Sequence, residues 1–280
     1  MISVAQRNLH PAGLAVSVSP AGASLFPGSR VQRIAVPGGD LVVEISGTGP
    51  AIILLHGWTL DRWQWQGQAP LADQFTLIAV DRRGFGASTA PPDLAAEPGD
   101  ISRIAAALGL ARYHLVGLSQ GGKVALAHAA GAPAGLDRLV VIGAPLDADV
   151  VAPPDHLPLA AMTALARAGR LDDLRRFWLA HPLTAGTPDV RSALAAILAR
   201  YDARDLIRPG RPLRVALADV AGIGVPATAL AGAHDTPWRR AVAALLAEAG
   251  FGHGLIPGGG HLAPMEAAAA TNAALIAALA

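Results

Sequence analysis

The chain has no cysteine. Disulfide staples and thiolate metal sites are therefore excluded, and redox chemistry gives no reading of the compartment. Charge is scarce: Asp, Glu, Lys and Arg make up 15% of the residues and leave a net charge of +1. No run of Lys or Arg could track a phosphate backbone, which argues against a nucleic-acid partner. No apolar stretch reaches the ~20 residues needed to cross a bilayer, so no membrane partner is expected. Ala-rich segments such as "ALARAGRLDDLRRFWLAHP" are broken by Arg, Asp, Gly or Pro. No repeat recurs at a fixed period. What the chain does have is apolar bulk, 52% hydrophobic over 280 residues. That excludes a disordered chain and suffices for one large α/β domain or two small ones.

Residues 1–30 are expected to form a poorly ordered extension. Arg7 ahead of "PAGLAVSVSPAGASLF" loosely resembles a secretion signal, but Pro11, Pro20 and the serines break up the apolar block that a signal needs. A cytoplasmic location is the expectation, with export by an atypical signal as the alternative.

Beyond the extension, "VQRIAVPGGDLVVEISGTG" reads as a hairpin. "AIILLHGW" is apolar at every position up to its histidine, which suits a strand buried on both faces of a parallel sheet. The same grammar recurs in "FTLIAVDRRGFG", "YHLVGLSQGG", "RLVVIGAP", "ATALAGAHD" and "HGLIPGGGH". Helix-compatible stretches at 101–109, 121–131, 238–249 and 264–279 separate most of these runs. This alternation predicts an α/β fold with a doubly wound, mostly parallel sheet. The core spans 31–145 and 220–280. Residues 146–219 break the rhythm with helical stretches (159–181, 189–201) and are expected to form a lid over the carboxyl edge, where such sheets bind ligands. An extra helical layer remote from the site is the alternative.

Gly117-Leu118-Ser119-Gln120-Gly121 fits the G-x-S-x-G elbow. A serine lifted above a sheet edge needs a sharp strand-to-helix turn, and side chains two positions away would clash across it. The motif alone is weak, but here it follows "YHLV" and precedes "KVALAHAA", a strand and then a helix. A glycine-rich connecting loop is the bland alternative.

A serine hydroxyl needs a base. Of nine histidines, His261 follows three glycines after the last strand and is free to reach across the edge. His114 and His128 fall inside elements and read as structural. His10 lies in the extension, His156 and His181 in the insertion, and His253 ahead of the last strand. Asp235, at the end of "ATALAGAHD", is the candidate acid to hold the imidazole; Asp147, one strand earlier, is its rival. Asp235 also suits the N-cap of the next helix. The oxyanion donors expected are the backbone N–H groups of Gln120 and Trp58, with His56 and Gly57 shaping the loop. No metal or organic cofactor is called for.

The set "HGW", "DRRGFGAS", "GLSQGG", "AGAHD" and "GGGH…E" resembles the α/β-hydrolase superfamily over most of residues 31–280. It is similar to small lidded serine hydrolases: esterases, enol-lactonases, haloperoxidase-like esterases and carbon–carbon bond hydrolases. The resemblance implies that Asp81 and Arg83 tie down the turn beside the oxyanion strand. The serine at the elbow argues against the epoxide hydrolases and haloalkane dehalogenases of that superfamily, which use an aspartate there. Large rings suit an apolar pocket: Trp58, Trp63 and Trp65 cluster after the oxyanion loop, and Trp178 lies in the insertion. Trp58 and Trp178 are the candidate substrate contacts, with core packing as the alternative. Arg175, Arg176 and Arg208 are candidates for a substrate carboxylate or, more simply, a solvated surface. The function expected is hydrolysis of a small-molecule ester or lactone. Carbon–carbon cleavage on the same triad and a non-catalytic ligand receptor are the alternatives. The oligomeric state is not legible.

Overall fold

The computed structural model describes residues 24–147, 157–184 and 186–280. Arg7, His10, Pro11, Pro20 and His156 fall outside these residues, as does most of the extension. Leu25 and Phe26, at its end, are buried and join the core, so the expected boundary at residue 30 is too late for these two. They are held there because the Leu25 N–H and the Ser29 hydroxyl both donate to the buried carboxylate of Glu44.

Eight strands make one sheet: β1 (Arg30–Val36), β2 (Gly39–Ser46), β3 (Ala51–Leu55), β4 (Thr76–Asp81), β5 (Tyr113–Leu118), β6 (Leu136–Ile142), β7 (Ala227–Gly232) and β8 (Gly252–Ile256). Their order is β1-β2-β4-β3-β5-β6-β7-β8. The β1–β2 and β2–β4 pairs are antiparallel and all others parallel, so the mostly parallel, doubly wound expectation holds. Strand order reverses between β3 and β5, which is where such sheets open a crevice at their carboxyl ends. Leu55 sits opposite Gly117 in that pair, placing the turns after both strands side by side.

The unbroken apolar runs follow from burial on two faces. Ile53 and Leu55 turn into one core with Ile78, Val80, Leu115 and Val141. Ile52 and Leu54 turn into the other with Leu77, Ala79, Val116 and Val140. Four helices cover the first face: α1 (Glu97–Ala107), α2 (Gln120–Ala130) and, further along the chain, two given below. Helix α1 starts before its expected position because Pro98 is tolerated in a first turn, where its missing N–H has no partner to lose.

The insertion is helical: α3 (Leu159–Arg167), α4 (Leu171–Leu179), α5 (Pro188–Leu198), α6 (Arg204–Ile207) and α7 (Leu217–Val220). The expected single helix at 159–181 is two, interrupted at Gly169, whose φ of 69° suits glycine. Met162, Leu174, Trp178 and Leu194 pack α3, α4 and α5 onto the second core, while Val220 of α7 is buried in the first. After β7, α8 (Pro237–Glu248) completes the cover of the first face, and its Val242 and Leu246 are buried there. The C-terminal helix expected at 264–279 divides into α9 (Ala263–Glu266) and α10 (Ala268–Leu279) around Ala267, at φ −136°. His253 lies within β8 rather than ahead of it. A 3-10 segment, Arg62–Asp73, was not anticipated; its "RWQWQGQAPLAD" carries Gly67 and Pro70, and neither favours a regular helix.

Candidate active site

Ser119 stands between β5 and α2 at φ 51° and ψ −117°, a backbone state that costs a non-glycine residue on the order of 1–3 kcal/mol. The surrounding glycines make this turn possible. A Cβ on Gly117 would lie 2.5 Å from the Gly121 carbonyl oxygen, and one on Gly121 would lie 2.4 Å from that of Leu55. Both contacts are with backbone, which cannot swing away. Gly121→Ala is therefore expected to lower stability by about 1–3 kcal/mol, read as a reduced urea midpoint. A wild-type midpoint would show that the helix does not need this close approach.

The Ser119 hydroxyl lies 3.0 Å from His261 Nε2, and His261 Nδ1 lies 2.9 Å from Asp235 Oδ2. All three residues are buried, Ser119 and His261 at 8% exposure and Asp235 at 3%. The carboxylate only accepts, so Nδ1 carries a proton and Nε2 is left bare toward the serine. The other carboxylate oxygen, Oδ1, accepts the Thr236 N–H at 2.6 Å, which fixes the plane of the group. Thr236, not Asp235, caps α8, accepting the Arg239 N–H. Behind the histidine, the Gly260 N–H donates to Glu266 Oε2 at 2.6 Å, and burial raises the Glu266 pKa. The rival acid, Asp147, is occupied elsewhere: its Oδ2 binds Lys123 Nζ at 2.6 Å and the Val215 N–H at 2.7 Å. Gly143, at φ 54°, was not singled out from the sequence. A Cβ there would come within 2.9 Å of Asp235 Oδ2 and 3.2 Å of His261 Nδ1.

A chain of hydrogen bonds fixes the loop after β3. His56 Nδ1 meets its neighbouring Gly57 carbonyl at 2.7 Å, and Nε2 accepts the Arg82 N–H at 3.0 Å. Burial, and then the charge of Arg82, push the His56 pKa well down, so the ring is neutral and structural as its position suggested. The Gly57 N–H donates to Gln64 Oε1 at 2.8 Å. Thr59, at φ 65°, receives the Trp178 indole N–H at 2.8 Å. Trp58 donates its indole N–H to Asp205 Oδ2 at 2.7 Å, and Tyr201 donates to Oδ1 at 2.7 Å. Burial raises the Asp205 pKa despite both donors. The first contact ties α6 to the loop after β3, and the second ties the chain before α6 to the same carboxylate.

The "DRRGFGAS" turn is pinned by buried ion pairs. Asp81 accepts from the Arg62 side chain and from the Ala87 N–H, and Arg83 pairs with Asp100. Arg82, unremarked in the sequence, pairs with Glu97 and donates to the His56 carbonyl and to Gln120 Oε1, the latter at 2.8 Å. It thus joins the loops after β3, β4 and β5.

A cavity of about 870 Å³ opens over Ser119, and its lining includes His261, Trp58, Gln120 and, from the insertion, Trp178, Leu183 and Asp205. Trp58 and Trp178 meet edge to face, with ring centroids 5.1 Å apart. Trp63 and Trp65 do not line it: Trp65 is fully buried in the core, and Trp63 packs beneath Arg200. The cavity lining also lacks Arg175, Arg176 and Arg208. The first two pair with Asp172 and Asp173 on their own helix. Trp238 and Arg239, by contrast, are cavity residues that the sequence did not point to.

The chain is 37% identical over 103 residues to a fluoroacetate dehalogenase of Burkholderia sp, covering 33% of this chain and 34% of the relative. It is 32% identical over 183 residues to a pimeloyl-[acyl-carrier protein] methyl ester esterase of Methylococcus capsulatus, covering 63% and 68%. The first relatives are matched over only about a third of their own length. A thermophilic esterase of Thermogutta terrifontis, solved with malate bound, superposes with a TM-score of 0.73 at 26% identity over 89% of this chain and 98% of that one. Residues 52–274 match the profile of the Alpha/beta hydrolase family, and the chain belongs to that family.

Proposed function

We propose that the protein is a serine hydrolase that cleaves a carboxylic ester or lactone through an acyl-enzyme on Ser119. The observation that carries this reading is the hydrogen-bonded chain from Ser119 through His261 to Asp235, opening onto the cavity.

In this mechanism His261 Nε2 takes the Ser119 proton as Oγ attacks the ester carbonyl. The backbone N–H groups of Trp58 and Gln120 receive the resulting oxyanion. Gln120 opens α2, so its N–H is among those an α-helix leaves without an internal partner. The imidazolium returns its proton to the departing alkoxide, and Asp235 stabilises the cation meanwhile. Water then attacks the acyl-enzyme with His261 again as base, releasing the acid and restoring Ser119. With a lactone, the alkoxide stays tethered and the product is one hydroxy acid.

The nucleophile also bears on which relative is the better guide. Displacement of a halide from carbon by Ser119 would leave a serine ether, which water cannot open under these conditions. An acyl-serine ester can be opened. Chemistry at this serine therefore favours the esterase over the dehalogenase. The helical insertion serves as a lid, with Trp58 and Trp178 as apolar contacts for substrate. The enzyme is proposed to act in the cytoplasm on a small molecule. A panel of p-nitrophenyl esters, lactones and β-diketones tests the reading. Esters or lactones should turn over at least tenfold faster than diketones; the reverse ranking would assign carbon–carbon cleavage instead.

A further inference from the structure

Arg239 occupies a place where a cation is costly. The residue is among those lining the cavity over Ser119, yet it is only 3% exposed. Its Nε and Nη1 have no hydrogen-bond partner among the described residues. It sits in the first turn of α8, where the free N–H groups and the helix dipole repel positive charge. Burial lowers its pKa to about 10, and the Asp235 carboxylate only partly offsets that. The guanidinium carbon lies 4.3 Å from the Trp238 ring centroid, a contact that orients the group without satisfying its N–H donors.

The other charged groups of the cavity are accounted for. Lys123 is paired with Asp147, and Asp205 is held by Trp58 and Tyr201. Arg167 is exposed. Arg239 is thus the one buried cavity cation among the described residues with side-chain donors, Nε and Nη1, that have no hydrogen-bond partner. A guanidinium presents its N–H donors in a planar fork that matches a carboxylate.

We propose that Arg239 binds a carboxylate carried by the substrate, so that the site takes anionic half-esters of dicarboxylic acids, or lactones bearing a carboxylate, in preference to neutral esters. This rests on the hydrolase reading for the reaction but not for the anion site itself.

Two measurements separate these claims. The first is kcat/KM for the monomethyl and dimethyl esters of succinate, glutarate and adipate. Wild-type enzyme should prefer at least one half-ester, and Arg239→Gln should reduce the half-ester to diester ratio by about 10- to 100-fold, chiefly through KM. Arg239→Lys, which keeps the charge but loses the fork, should retain part of the preference. A ratio unchanged in Arg239→Gln, or an equal fall in kcat for both esters, would overturn the proposal; the second result would make Arg239 a residue acting through Asp235. The second measurement is calorimetric titration of the same three dicarboxylates into Ser119→Ala, alone and with Arg239→Gln. Binding at least tenfold weaker in the double variant supports the anion site even if no ester is hydrolysed. Equal binding in both, or none in either, contradicts it even if neutral esters are hydrolysed well.

Discussion

Ser119→Ala should fold as the wild type does and lose ester turnover by a factor on the order of a million in kcat. The loss is large because the hydroxyl has no substitute. Thr163 and Thr184 also line the cavity, but among the described residues it is the Ser119 hydroxyl that lies 3.0 Å from His261 Nε2. The fold is expected to survive because alanine needs the same turn at φ 51°, and the Ser119 N–H still donates to the Ile142 carbonyl at 2.8 Å. The lost side-chain hydrogen bond should cost about 1 kcal/mol, visible as a small shift in the urea midpoint. Turnover within tenfold of the wild type, measured on protein purified to exclude host esterases, would remove Ser119 from the reaction.

Asp235→Asn should lower kcat about ten-thousand-fold at neutral pH, while Asp147→Asn should change it by no more than a few-fold. The reason is geometric. Thr236 donates its N–H to Oδ1, so an asparagine would keep its carbonyl oxygen there and turn its NH₂ toward His261. That NH₂ would face Nδ1 from the place of Oδ2, 2.9 Å away, and force the ring into the other tautomer. Nε2 would then carry the proton and could not accept one from Ser119. Asp147 has no such hold on the ring, since Lys123 and Val215 use its carboxylate. Steady-state kinetics on the two variants decides between the acids. A larger loss in Asp147→Asn would move the acid to the loop after β6.

The sequence and the structure agree most closely where a local pattern has one physical solution. Strand β3 was legible because a run apolar at every position needs cover on both faces, and β5 and β6 because their carboxyl halves, "LVGL" and "LVVI", carry the same pattern. The elbow was legible because Gly117 and Gly121 have no room for a side chain. His261 was legible because three glycines precede it at the end of a strand. The contacts that stayed hidden join residues far apart in the chain. Trp58 and Asp205 meet across 147 positions, and Arg200 reaches Asp61 across 139. Nothing in "DLIRPG" announces that its aspartate will receive an indole N–H, because the insertion's path over the sheet decides it. Gly143 and Arg82 were overlooked for a similar reason: one is small to make room for Asp235 and His261, and the other links three loops. Nothing in the sequence around Arg239 sets it apart from the other arginines of the chain. Its burial and its place in the cavity lining follow from the fold alone.

The role of Ser119, held ready to accept an acyl group with His261 as its base, is tested most directly by the mass of the intact protein after brief exposure to a fluorophosphonate, followed by peptide mapping. One phosphonyl adduct per chain is expected, on the peptide carrying Ser119, formed rapidly in wild type and Asp147→Asn and slowly in Asp235→Asn. No adduct is expected in Ser119→Ala. An unlabelled wild-type chain, or an adduct on any other residue, would contradict that role.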